Sequence, residues 1–174
     1  MMSLHVNPDL ITRFAGKCGE AEAHRAYQEL QPWSQTKPAR LAIWHAAQAL
    51  RHAREVRPYQ LRGADTFVIY HAVMVIWTWS MMHRNDPILD DQADSADVLL
   101  DGDEVDAFVL MGSGRPCLQW THHERIHLRD PRAVMRLGIR VLESNYPNES
   151  RANLPQLTKS LCQLMGDLGG LKLS

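Results

Sequence analysis

The residues best equipped for chemistry are His123-Glu124-Arg125-Ile126-His127, an H-E-x-x-H spacing. On a helix, histidines four apart share a face and can ligate one zinc ion, with the glutamate acting as base toward a metal-bound water. That chemistry needs a long helix and a third ligand. Pro116 and Asp130-Pro131 limit any helix here to roughly two turns, and the longer metzincin pattern fails, with Asp130 where it needs a glycine and Gly138 out of place. Glu143 and Glu149 are candidate third ligands by residue type alone, since nothing around them reads as a second zinc helix. With nine histidines in the chain, chance is a real source of the pattern. The expectation is a short polar helix or turn carrying His122, His123 and His127 on the surface. A zinc metallohydrolase built on 123–127 stands as the alternative.

Other chemical signals are weaker. Asp86, Asp90, Asp91, Asp94, Asp97, Asp101, Asp103, Glu104 and Asp106 form an acidic segment, but the calcium-loop order D-x-[DN]-x-[DN]-G with its closing Glu is not met. The reading is a solvated acidic loop over 85–103. Gly112-Ser113-Gly114-Arg115-Pro116 lacks the preceding strand and third glycine of a phosphate loop, and reads as a turn. His45, His52 and His71 read as surface or hydrogen-bonded core histidines. Cys18, Cys117 and Cys162 are an odd number, far apart, and fit neither a disulfide framework nor a zinc knuckle. No catalytic, cofactor-binding or metal residue is assigned, and the chain is not read as an enzyme.

The composition, 45% hydrophobic and 22% charged over 174 residues, fits one folded domain spanning 1–174. With 19 basic and 20 acidic residues and no basic run, the footprint of a chain that grips nucleic acid alone is missing. The start, MMSLHVNPDL, shows no basic region followed by an apolar one, so no secretory signal is expected. An intracellular, reducing location follows.

The elements that must position these residues centre on Phe67 to Met82, FVIYHAVMVIWTWSMM. Only His71, Thr78 and Ser80 interrupt its apolar character, and they share no face, so a helix over about 65–83 buried on all sides is expected. It is too short and too closely flanked by polar residues to span a membrane. Gly63 and Asp65 suit its start, and Asn85-Asp86-Pro87 its stop. Before it, Lys37-Pro38 opens LAIWHAAQALRHAREV. One arc of that helix is Ile43, Ala42, Ala46, Ala49, Leu50, Ala53 and Val56, and the opposite arc is Arg40, Gln48, Arg51, His52 and Glu55. Trp44 falls on the polar arc, and is read as packing beneath a later segment with arginines stacked on it. The short connection predicts an antiparallel hairpin with the central helix.

The first 36 or so residues read as flank: two helical pieces broken near Gly16 to Gly19, the second closed by Pro32. Val98-Leu99-Leu100 reads as a short extended piece, Asp103 as the cap of a helix EVDAFVLM, and Asp130-Pro131 as the start of RAVMRLGIRVLES. In the last helix, LTKSLCQLMGDL, Leu157, Leu161, Leu164 and Leu168 form one stripe. The fold class expected is all-α, an irregular bundle of antiparallel helix pairs around the central helix.

LAIWHAAQALRHAREV, PYQLRGAD with YHAVMVIW, LLDGDEVDAFVLMGSGRPCL, DPRAVMRLGIRVLE and LPQLTKSLCQLMGDLG, taken in order over Lys37 to Gly170, resemble the fungal-specific transcription factor domain, or middle homology region. Trp44-His45-Ala46 with Gln48, Leu61-Arg62-Gly63, and Gly112, Gly114 and Pro116 look most like the version found downstream of zinc fingers. The resemblance implies a regulatory region of a nuclear factor controlling RNA polymerase II transcription. It would act through protein contacts with the DNA-binding domain of a parent factor or with the transcription machinery. The zinc module that grips DNA in such factors cannot be built from Cys18, Cys117 and Cys162. The family has no shared catalytic residues to transfer. A generic helical interaction scaffold is a further alternative, although no repeat of 34 or 40 residues is present.

Overall fold

A computed structural model describes residues 6–84, 97–100, 105–121 and 123–171. The Asn85-Asp86-Pro87 stop, most of the 85–103 acidic loop, the Asp103 cap and His122 lie outside the described residues.

Among the described residues 64% are helical, in seven helices, and a small three-stranded sheet accompanies them. The chain is therefore largely helical but not all-α. The elements are α1 (Pro8–Phe14), α2 (Glu20–Ser34), α3 (Lys37–Glu55), α4 (Ala64–Met82), β1 (Asp97–Leu99), α5 (Asp106–Met111), β2 (Arg115–Thr121), β3 (Glu124–His127), α6 (Pro131–Ser144) and α7 (Gln156–Leu168). A 3-10 turn at Arg151–Asn153 precedes α7.

Helix α4 is the centre of the core. Every residue from Ala72 to Ser80 is buried, and Ile76 has no exposed surface. Its partner α3 begins at Thr36, whose hydroxyl accepts from Ala39 N at 3.3 Å, with Pro38 in the first turn. The two helices run antiparallel. The indole of Trp79, near the end of α4, donates to Ser34 O at 3.2 Å, just ahead of α3, and His83 meets Gln35 at 3.2 Å. Alanines 39, 42, 46, 47 and 53 of α3 are buried, and side chains this small permit close helix approach. Ala49 and Val56, expected in the buried arc, are only half-buried.

The connection between α3 and α4 is held by α6. Asn145, 5% exposed, accepts from Leu61 N at 3.2 Å and donates to Leu61 O at 3.0 Å, while its own carbonyl accepts from Tyr59 N at 2.7 Å. One amide thus replaces a strand neighbour for a loop that would otherwise bury unpaired backbone groups. Gly63, with φ 51°, is the N-cap of α4, and no side chain bonds the cap, so Asp65 does not act there as expected.

Three further expectations change. The N-terminal 36 residues are no mere flank, since Ala26 and Leu30 of α2 have no exposed surface and Phe14 lies 5.2 Å from Trp77, centroid to centroid. Pro32 lies inside α2, which continues to Ser34; in a last turn the missing N–H disrupts little of the ladder ahead. In α7 the buried positions are Thr158, Leu161, Cys162, Met165 and Gly166, so the core-facing stripe is rotated and Leu164 is exposed.

The sheet has the order β1-β2-β3, β1 parallel to β2 and β2 antiparallel to β3, with an irregularity between Gln119 and Thr121. Here the expectation of a short polar helix or turn over 123–127 holds only for His123, in an exposed turn, since 124–127 form a strand. Cys, Trp, Thr and Ile in 115–127 favour a pleated, half-buried surface, and in β3 only Ile126 is buried. Three polar side chains of α3 reach the sheet and the segments joined to it, α5 and the end of β1. Arg40 donates to Val109 O and Leu110 O, Gln48 to Leu100 O, and Arg54 to Gln119 O and Trp120 O.

Candidate functional site

The H-E-x-x-H residues do not assemble around a point. His123 is in the turn and Glu124 to His127 form a strand, which rises about 3.3 Å per residue and so spans roughly 10 Å. Two imidazoles on one zinc must each bring a nitrogen within about 2.1 Å of it. His127 instead lies near Asp97, Nδ1 to Oδ1 4.0 Å, and Asp97 also meets Arg115 at 3.1 Å and Arg125 at 3.3 Å. Among the described residues no three His, Cys, Asp or Glu side chains come together as a metal site. Glu143, the imagined third ligand, is paired with Arg151 at 2.6 Å.

Glu124 has a structural partner. Its two carboxylate oxygens accept from Arg140 of α6 at 2.7 and 3.1 Å, a bidentate fork. The hydrogen bond from Arg140, with the charges of Arg140 and Arg136, holds its carboxyl below the usual glutamate range against a smaller opposing desolvation. Arg140 also lies 4.4 Å from the Trp120 ring centroid, and Arg54 lies 5.2 Å from it. Trp120 is the ring stacked by arginines from two helices. Trp44 is half-buried against the core, beside His45 at 4.7 Å, with its indole N–H buried and unbonded among the described residues.

A preformed apolar cleft lies elsewhere. Helices α1, α4 and α7 enclose a cleft of about 610 Å³, within the usual size range of small-molecule sites, about 300–1,000 Å³. Its walls include Ile11, Val75, Met74 and Leu168, with the exposed Val68 and Leu164 also lining it. The polar groups on the walls are few: Thr12, Lys17, Tyr70 and His71. The Thr12 hydroxyl donates to Pro8 O at 2.9 Å, and His71 Nδ1 lies 2.8 Å from Phe67 O, which can only accept, so that nitrogen carries the proton. Burial raises the Tyr70 pKa, which keeps its hydroxyl a neutral donor.

This cleft exists because α4 is not buried all round. Phe67 is 44% and Val68 47% exposed, and His71 is exposed beside them. The signal that could have found it was partial: His71 alone breaks the N-terminal half of the apolar run, and Phe67 and Val68 lie four and three residues before it, on the same face. Cys117 and Cys162 are buried and Cys18 is exposed; all three are free thiols. No helix among the described residues is long and apolar enough to cross a membrane.

Compared with protein-family models, with curated proteins and with solved structures, the chain matches none.

Proposed function

We propose that this chain is a regulatory module of a nuclear transcription factor of the fungal-specific type, working by contact with other proteins, with no nucleic acid held by the chain itself. The observation that carries the reading is the end of α5. Leu110 is 57% and Met111 73% exposed, and neighbouring apolar side chains left in water favour a partner surface. Arg40 fixes this tip by donating to the carbonyls of Val109 and Leu110 at 3.1 and 3.3 Å, so little ordering cost is left for binding. The sequence resemblance over 37–170 supplies the context, and the near-even charge supports contact with protein over phosphate backbone.

The test is a fusion of the chain to a heterologous DNA-binding domain with a reporter gene. Altered reporter output that reverts in Leu110→Ser/Met111→Ser, with the helical circular dichroism unchanged, supports the reading. Sub-micromolar binding of the isolated chain to arbitrary duplex DNA at about 50 mM salt, where electrostatic binding is strong, would sink it. The hydrolase alternative draws no support from 123–127, because Glu124 is held by Arg140 and His127 lies beside Asp97.

A further inference from the structure

We propose that the cleft between α1, α4 and α7 binds one small apolar carboxylate, with its hydrocarbon body among Ile11, Met74, Val75 and Leu168 and its anionic head at Lys17. This site is separate from the α5 tip and does not depend on the regulatory reading. The cleft has the volume of a small-molecule site, about 610 Å³, and its body is lined by aliphatic and thioether side chains that offer an apolar ligand dispersion contacts and release from water.

The charge on the walls selects the head group. Among the described residues Lys17 is exposed and is the one Lys, Arg, Asp or Glu on the cleft walls. Among the described residues it makes no ion pair. A single cation with no acidic neighbour in the cleft complements one negative charge and repels an ammonium group. It is too little for a phosphate monoester, which carries a charge of about −1.5 to −2 and favours several donors. Tyr70 lines the same walls, and burial keeps its hydroxyl neutral, so it adds no second charge. A carboxylate is the anion whose single charge one ammonium matches.

The experiment is calorimetric titration of the full chain with dodecanoate below its micellar range, with dodecan-1-ol and dodecyltrimethylammonium as probes of the same length. One dodecanoate per chain is expected, bound more tightly than either probe. Lys17→Ala should weaken dodecanoate about two- to fivefold, as for an exposed ion pair, and leave dodecanol unchanged. Leu164→Trp, at a 43% exposed position, and Thr12→Trp each fill the cleft and should cost at least about tenfold for all three probes. If Thr12→Trp fails to fold, Leu164→Trp decides. The proposal is overturned by a folded chain that takes up no dodecanoate, by filled variants that bind it undiminished, or by a preference for the ammonium probe.

Discussion

Gly138 of α6 rests against Val73 of α4 so closely that a Cβ on it would lie 2.5 Å from Cγ2 and 2.8 Å from Cγ1 of Val73, and 3.0 Å from the Met165 sulfur. Real Cβ atoms essentially never come so near, and both methyls belong to a β-branched side chain with little rotamer freedom. The missing side chain at 138 therefore sets the distance between α6 and the central helix.

Gly138→Ala should destabilise the protein in spite of its better helix propensity. The gain of up to about 1 kcal/mol in propensity is outweighed by an overpacking cost of about 1–3 kcal/mol. Urea unfolding measures the sum. The specific check is the double variant with Val73→Ala, which should be less destabilised than the two single changes added together. Strict additivity would mean that the contact is not the cause.

The α3–α4 pair should carry most of the stability. Trp77 is 5% exposed and packs tilted against Phe14, 5.2 Å between centroids. Trp77→Ala should cost about 3–5 kcal/mol, whereas Arg51→Ala, removing an exposed i,i+4 pair with Glu55 at 3.3 Å, should stay within about 0.5 kcal/mol. Denaturant midpoints in the reverse order would place the core elsewhere.

How much of this was legible varies by residue. The helices 37–55, 64–82 and 131–144 follow from periodicity, proline placement and caps, and Val134, Leu137, Ile139, Val141 and Leu142 are all buried as their spacing requires. Of the sheet, β1 was legible as the extended piece at Val98-Leu99, but β2 and β3 were missed because the i,i+4 histidines suggested a helix or turn, while the strand signal over 115–127 is short and partly polar. Arg40, Gln48 and Arg54 show a second limit. Pattern alone reads polar side chains as solvated, but these three donate to backbone carbonyls 52 to 69 residues away in sequence. The α7 stripe failed similarly: leucine spacing identified a helix face, but Thr158, Cys162 and Gly166 are small enough to be the buried one.

The three thiols should separate by reactivity. Cys162 is 1% exposed, and burial, aided by the Glu143 charge and opposed by Arg151, pushes its thiol up to about 12. Cys117 has no exposed surface, while Cys18 is exposed. Since the thiolate is the reactive form and must be reached by reagent, the native protein should release one equivalent rapidly with an aromatic disulfide reagent. The other two should follow only on unfolding. Cys18→Ser should remove the fast phase, and a fast phase that survives in that variant would show that a supposedly buried thiol is accessible.

Glu124 should behave as a structural carboxylate with a pH signature and not as a catalytic base. Its folded pKa is lowered, first by the hydrogen bond from Arg140. A lowered folded pKa means that the pairing contributes stability fully above the unfolded glutamate value, about 4.3, and that the contribution is lost as pH falls through the lower folded value. Glu124→Gln keeps an oxygen that can accept from Arg140 but cannot titrate. Melting temperatures of parent and variant should therefore differ most near neutrality and converge in acid. A gap that widened below pH 4 would reverse the sign of the linkage. The same variant addresses zinc: the purified parent should hold no stoichiometric metal, because His123 and His127 belong to a turn and a strand. One tightly held zinc per chain, with a peptidase activity abolished in Glu124→Gln, would make the Arg140 pairing incidental and restore the catalytic reading of 123–127.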